Sequence, residues 1–589
     1  MRLLLVMPNY NYGGPYHISL GIMYVSAFLK REGRDVTTLN LNHYGADRLA
    51  EVLRAGDFDL VATGGLFTYY PHLRGVIATV RRESPRSRVV LGGPAASADP
   101  PFALDSLAPD YLVVGEAEKP LAGLLRALDE GRDGSEVPGL AFRRGGRFFQ
   151  TPPAELVADL DSLPWPDYEG VEYGRYLERW ARGFDQLSVS PHPVRRSAPV
   201  ISGRGCVARC TFCYRLTPGH RQRSIPAVLA EIRHLKDRYG VNEVTVSDDL
   251  FSSTRQRLEE FCAGVRPLGL TWACQLRVPV VSEPLLRTMK ESGCNLVSYG
   301  LESASPAILR SMRKGIDVSK LEEALRLTRA AELTIQGNFI FGDPAETWET
   351  AQETLSFYRR HVRDYSNSIT LNAVVPYPGT VLYQELKAKG RLRNLQRFYE
   401  TGLDERGRHI NMTSMPDAEF QRLVTRVLPA EERRGRLFGR VLERRRLGPG
   451  AYAISYLCPI CERRSDDLRL EVAAAFPVSS FRVACRRCLQ RSYVPKLGLL
   501  GWEAAPFLAR AAMGGLWSRF KSTELFAAVR YHPRVDELWN LFKEDTARRR
   551  QSDPSAPGFH ELSFLDAVLD RLRFAWELAG ILLRGRLGG

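Results

Sequence analysis

The sequence predicts an α/β protein: an N-terminal doubly wound, Rossmann-like domain, then a partial (β/α)6 TIM-like barrel, then a helical C-terminal region that holds a four-cysteine unit. Three observations predict it. Short apolar runs ending in glycine alternate with helical periods over residues 1–130, a second series of six such runs spans 198–392, and two CxxC pairs lie beyond them. At 589 residues the chain is several times longer than one typical domain, so each of these units can bury its own core.

The first series opens with "RLLLVMP", followed by an amphipathic run over 18–31, "DVTTLNL", "DLVATGG", a helical period over 73–82, "RVVLGGP" and "YLVVGEAE". Strands with glycines at their carboxyl ends and helices between them describe a parallel sheet, which binds ligands at that edge. The loops at 8–15, 64–70, 92–94 and 115–118 form one candidate crevice, with Gly64, Gly65, Gly92, Gly93, Gly115 and Glu116 as candidate cofactor-binding residues. Each glycine taken singly also serves a tight βα turn. From 131 to 197 the pattern loosens into proline-rich stretches such as "LDSLPWPDYEG", read as a linker.

The barrel series places strands at 200–202, 243–247, 271–276, 296–300, 334–341 and 369–373. Barrel chemistry sits at the carboxyl ends of strands, and the loop after the first carries "GRGCVARCTFCYR". Its three thiols, Cys206, Cys210 and Cys213, are too few for a closed tetrahedral zinc site and odd for disulfides. Thiolates suit zinc, copper and iron–sulfur clusters, and three thiolates on a [4Fe–4S] cluster leave one iron open for a small ligand. A zinc knuckle with a fourth ligand elsewhere is the alternative.

This CxxxCxxC loop, with Phe212 before its third cysteine, resembles the signature of the radical S-adenosylmethionine (SAM) enzymes. The resemblance implies that SAM chelates the open iron and that its reductive cleavage yields a 5′-deoxyadenosyl radical. It extends in order along the barrel. Asp248 and Asp249 in "VTVSDDLF" match the segment near the SAM amino group, Glu302 in "SYGLESASPAILRSMRKG" the ribose-contacting acid, and Gly337, Ile340, Gly342 and Glu346 in "GNFIFGDPAETWE" the glycine-rich motif beside adenine. "PYPGT" at 376–380 and "GEAE" at 115–118 resemble the branch in which a B12-binding domain precedes the barrel. That branch implies bound cobalamin, an external electron donor such as flavodoxin or ferredoxin, and methylation of an unactivated carbon in a small-molecule substrate. A cyclisation or other rearrangement without methyl transfer is the second reading. The DxHxxG motif that supplies a lower histidine to cobalt is missing: His17, His43 and His72 do not sit in it.

Beyond the barrel, 393–450 reads as a basic helical segment, 451–496 as a zinc-ribbon-like unit and 497–589 as a helical tail. Cys458, Cys461, Cys485 and Cys488 form CxxC, 23 residues, CxxC, four thiolates that close a structural zinc shell; a second iron–sulfur cluster is the alternative. Cys262, Cys274 and Cys294 read as ordinary buried thiols. The chain carries 82 basic against 67 acidic residues, a net charge of +15, with arginines gathered in "EERRGRLFGRVLERRRLG". Those arginines read as a solvated helix face, or as a nucleic-acid or membrane contact, which would make the chain an RNA-binding protein with structural metal sites. Nucleic acid is not the expected partner. Neither a secretory signal nor an 18-residue apolar span is present, and clustered CxxC thiols fit a reducing compartment, so a cytoplasmic location is expected.

Overall fold

The computed structural model describes residues 1–9, 18–45, 47–182, 192, 194–251, 254–363, 368–404, 407–448, 451–471 and 480–495. The expected helical tail at 497–589, His17 and most of the first crevice loop lie outside the described residues.

The first sheet pairs β1 (Arg2–Met7), β2 (Asp35–Asn40), β3 (Leu60–Gly64), β4 (Arg88–Gly92) and β5 (Tyr111–Val113) in parallel, in the order β2-β1-β3-β4-β5. β1 is buried on both faces, as its unbroken apolar run requires. Leu3, Leu5 and Met7 pack against helices Leu20–Arg31 and Glu118–Asp129, while Leu4 and Val6 face helices Arg48–Ala55 and Tyr70–Glu83 on the other side. The strand order reverses between β1 and β3, the switch point at which such sheets open a crevice.

The sheet does not stop at residue 130. β6 (Leu140–Arg144) and β7 (Arg147–Gln150) extend it in antiparallel pairing, joined by Gly145 and Gly146, both at positive φ. Part of the expected linker is therefore sheet, because a two-residue glycine loop closes a hairpin.

The second sheet begins with β8 (Ser197–Val200). The chain then turns into a hairpin, β9 (Gly203–Gly205) and β10 (His220–Gln222), before β11 (Glu243–Val246), β12 (Thr271–Leu276), β13 (Cys294–Glu302), β14 (Thr334–Phe341) and β15 (Ile369–Ala373). The six main strands are parallel and lie in sequence order, an open half-barrel. β8 ends two residues earlier than expected because the Ser202 N–H donates to the Asp248 carboxylate instead of a ladder partner. Outward-facing Trp272, Tyr299 and Phe339 pack on the surrounding helices, and Cys262, Cys274 and Cys294 are buried among them.

After helix Leu428–Arg434 the arginine run changes state. β16 (Arg440–Gly448) is an edge strand on β17 (Ala451–Leu457) and β18 (Arg464–Glu471), not a helix face. Cross-strand pairing overrides the helical propensity of Arg, Leu and Glu here. A last hairpin, β19 (Ser480–Ala484) and β20 (Arg491–Pro495), completes the cysteine-bearing unit. No helix among the described residues is long and apolar enough to cross a membrane.

Candidate active site between two sheet edges

Cys206, Cys210 and Cys213 lie on the loop carried by the β9–β10 hairpin, half-buried or exposed. Gly205, at φ +81°, turns the chain into the loop; a Cβ there would stand 2.4 Å from the Gly219 carbonyl oxygen, so no other residue fits. The loop is held from two sides. Thr211 donates its N–H to the Met312 carbonyl at 3.1 Å and accepts from Leu382 N–H at 3.4 Å. Phe212 packs into the second core, and Lys314 Nζ sits 5.9 Å from the centre of its ring.

Lys314 also donates to Glu302 Oε1 at 2.6 Å, and Arg277 donates to the Lys314 carbonyl at 2.8 Å. Glu302 ends β13 at φ +61°. Lys314 carries no signal in the sequence reading; its place in "SMRKG", just past the Glu302 motif, is the feature that could have found it. The two aspartates divide. Asp248 is buried, its acid range pushed up to about 6 by that burial, and its carboxylate accepts from both the N–H and the hydroxyl of Ser202. It ties β11 to the root of the cysteine hairpin. Asp249 lines the cavity described next.

That cavity, of about 450 Å³, joins the two sheet edges. From the first domain it takes Gly64, Gly65, Gly92, Gly93, Gly115 and Glu116, and from the barrel Gly203, Arg204, Gly205, Ser247 and Asp249. The expected crevice is therefore formed jointly with the barrel. The glycines serve it in two ways. A Cβ on Gly64 would lie 2.7 Å from the Gly92 carbonyl, so Gly64 permits the close approach of β3 and β4, whereas a Cβ on Gly92 or Gly115 would meet nothing within 4 Å. Those two leave open a backbone-lined cradle of the kind a flat macrocycle needs. His43 bonds the Val171 carbonyl away from the cavity, and no histidine lines it among the described residues.

Glu116 departs from a simple cofactor contact. It bonds both guanidinium nitrogens of Arg221, pairs with Arg204 at 3.4 Å and accepts from Val157 N–H, while Glu118 takes Arg204 at 2.7 Å. Both strands of the cysteine hairpin are thus bound to the "GEAE" loop of the first domain. In the third motif Ile340 faces the barrel interior, whereas Gly337 faces outward, where a Cβ would stand 2.7 Å from the Tyr299 carbonyl; Gly342 follows at φ +120°. Gly342 N–H bonds the Glu346 carboxylate, which burial pushes up to about 8.

The four-cysteine unit has the geometry of a single ion. Its sulfur atoms all lie within 4.8 Å of one another, with Cys458–Cys488 at 3.7 Å and Cys461–Cys485 at 3.8 Å. Backbone N–H groups of Ile460 and Arg487 point at Cys458 and Cys485 Sγ. Each knuckle closes with a residue at positive φ, Glu462 and Leu489. Four converging thiols close a zinc shell. Cys206, Cys210 and Cys213 do not converge in this way, which suits ligands set around a body larger than one ion.

Comparison with known proteins gives the two domains their names. Residues 11–125 match the B12 binding domain and residues 200–358 the radical SAM superfamily. The chain carries a radical SAM domain preceded by a B12-binding domain. An uncharacterized methyltransferase of Pyrococcus horikoshii is 28% identical over 419 residues, 68% of this chain and 86% of that one. An anaerobic magnesium-protoporphyrin IX monomethyl ester cyclase of Cereibacter sphaeroides is 29% identical over 410 residues, 66% of this chain and 64% of that one. Among solved structures, the radical SAM methyltransferase TsrM of Kitasatospora setae, with cobalamin and a [4Fe-4S] cluster bound, superposes with a TM-score of 0.54 at 21% identity, covering 67% of this chain and 76% of that one. The last likeness shows the fold. A radical SAM domain works with a [4Fe–4S] cluster and SAM, and a B12-binding domain with cobalamin; the cysteine loop and the glycine cradle of this chain fit both.

Proposed function

We propose that this radical SAM protein methylates an unactivated carbon of a small substrate, with cobalamin as methyl carrier. The observation that carries the reading is the single cavity shared by the glycine edge of the B12-binding domain and the cysteine end of the barrel. When bound, the cluster supplies an electron that splits SAM, and the corrin supplies the methyl group. The chain's own residues do the positioning. Cys206, Cys210 and Cys213 hold the cluster, with Phe212 and Lys314 fixing the loop; Asp249, Glu302 and Ile340 line the SAM side, and Gly92 and Gly115 admit the corrin. Gly337 and Gly342 act through strand packing and a turn. Methyltransferases of the same branch, including bacteriochlorophyllide d C-12(1)-methyltransferase of Chlorobaculum tepidum, 30% identical over 211 residues, support this reading.

The enzyme draws its electrons from an external donor of the flavodoxin or ferredoxin class. Anaerobic reconstitution with iron, sulfide and cobalamin, followed by methyl-labelled SAM and a reductant such as dithionite or reduced flavodoxin, tests the reading. The expected products are 5′-deoxyadenosine together with S-adenosylhomocysteine, with label recovered in the corrin fraction, and both are lost when Cys206, Cys210 and Cys213 are changed to Ala. 5′-Deoxyadenosine alone would move the reaction to the rearrangement class, and SAM cleavage surviving the triple change would overturn the cluster assignment.

A further inference from the structure

The interior of the half-barrel is built unlike a packed barrel core. Such cores fill with layers of branched apolar side chains. Here most apolar residues of β13–β15, all but Leu296 and Ile340, point outward, where Tyr299 bonds Thr328 and Phe339 packs edge-on against Phe357 of the helix layer. Strand alternation therefore turns the neighbouring residues inward. The register stacks them in rows: Gln275 beside Ser298 beside Gln336, then Asn338 beside Thr370, then Asn372 at the rim next to Ile340. These six are neutral and polar, and Gln275, Gln336, Asn338 and Asn372 are exposed.

The row below is sealed. Inward-facing Leu296 packs against Ala484 and Leu489 of the four-cysteine ribbon, and the buried Thr334 hydroxyl donates to the Leu489 carbonyl at 2.8 Å. The ribbon is the floor of this lumen, and the cysteine loop stands over its rim.

Hydrogen bonding leaves the walls unsaturated. Thr370 and Asn372 both donate to Asn338 Oδ1, and Asn372 donates to Thr370, which leaves the Asn338 amide N–H groups and Asn372 Oδ1 facing the space. The side chains of Gln275 and Gln336 make no hydrogen bond among the described residues. Of the charges at the rim, Lys314 is bound to Glu302, and Arg277, which follows β12, donates to the Lys314 carbonyl. A wall of carboxamides presents donors and acceptors side by side. An anion would strand its acceptors and a cation its donors, and no charged side chain stands in these rows to offset either.

We propose that this lumen binds the non-reacting part of the substrate and that this part is uncharged and carries hydroxyl or carboxamide groups. The assignment rests on the radical SAM reading above and adds the substrate class to it. Saturation-transfer NMR on the full, reconstituted chain tests it with a fragment set of neutral polyols, neutral carboxamides, carboxylates, phosphate esters and amines. Neutral fragments should bind, with polyols and carboxamides compared to tell which source is preferred. Their affinity should fall about five-fold in each of Gln336→Leu and Asn338→Leu, roughly one lost hydrogen bond. Asn338→Asp keeps the shape and should shift preference toward amines; unchanged melting temperatures show that the variants fold. Dominant binding of carboxylates or phosphates to the wild type, or neutral binding indifferent to all three changes, overturns the proposal. SAM cleavage by the same wild-type preparation separates the two readings: cleavage without neutral binding refutes the substrate class alone, and neutral binding without cleavage refutes the radical reading.

Discussion

Replacing Glu116 with Gln removes one charge from the joint between the two domains while keeping the side chain's shape. In the wild type burial alone would raise the Glu116 acid range, but the hydrogen bond from Arg221 and the charges of Arg204 and Arg221 outweigh it, and the group titrates below the usual carboxylate range. Its side chain is 8% exposed and those of Arg204 and Arg221 are 16% exposed, so solvent screens the pairs little. Removing one partner of a buried pair costs about 3–5 kcal/mol. Arg204 keeps Glu118, and Arg221 keeps the Val157 carbonyl, so the lower end applies, about 3 kcal/mol. For a unit of this size that is a fall in Tm of roughly 6–12 °C, read by scanning fluorimetry on the full chain. The depressed acid range makes this stability fully present above the unfolded carboxyl range and lost as pH falls through the folded one, so the gap between wild type and variant should close in acid. Glu155→Gln, at the exposed pair with Lys119, is the control and should move Tm by less than about 1 °C. A Glu116→Gln shift no larger than that control's, or one that persists unchanged into acid, would refute the clamp.

Three further outcomes follow from the same geometry. Gly92→Leu fills open space without meeting backbone, so the chain should fold normally yet retain at least ten-fold less cobalamin on purification, whereas Gly64→Ala should lower Tm because its Cβ collides with the Gly92 carbonyl. Metal analysis should find about one zinc per chain beyond the cluster irons. Changing Cys458, Cys461, Cys485 and Cys488 to Ser should abolish the zinc, leave the iron and speed hydrogen exchange at the first residues of β13 and β14, where the ribbon docks. Glu346 is pushed up to about 8 by burial, so its neutral form stabilises the fold fully below the unfolded carboxyl range and that contribution is lost as pH rises toward 8. The Tm of Glu346→Gln relative to wild type should therefore climb between pH 5 and 8, and a flat difference would contradict the burial argument.

The parts legible in the sequence are those whose cause is local. Apolar runs with period two or with both faces buried gave away the neighbourhoods of all eleven parallel strands, and the cysteine spacings separated an open three-thiol loop from a closed four-thiol shell. The misses are non-local or finely local. β6 and β7 hide in the expected linker because their signal is a bare Gly145-Gly146 between short runs. β16 reads as helix by propensity, and only its seven-residue partner β17 makes it a strand. Glu116 and Arg221 are 105 residues apart, and Glu118 and Arg204 are 86, so nothing in either neighbourhood announces the clamp. Asp248 and Asp249 are adjacent, yet strand geometry sends one to a structural bond and the other to the cavity.

The two sulfur centres stand at opposite mouths of one half-barrel, and the division has a physical reason. A closed barrel stabilises itself by packing branched side chains through its middle; β12 to β15, four of the six strands here, turn Gln, Ser, Asn and Thr inward, give up part of that burial and leave the lower mouth open. Something else must exclude water from below while the cysteine hairpin works above. A unit as small as 451–495 cannot build a core large enough to hold a rigid plug in place by hydrophobic burial alone, and its four converging thiols are placed so that one ion would supply the missing stability. The Leu489 carbonyl and side chain, both set by the second knuckle's positive-φ turn, are the atoms that meet Thr334 and Leu296. An ion held by the four thiols would thereby act on the lumen without touching it: it would fix the turn, and the turn fixes the floor.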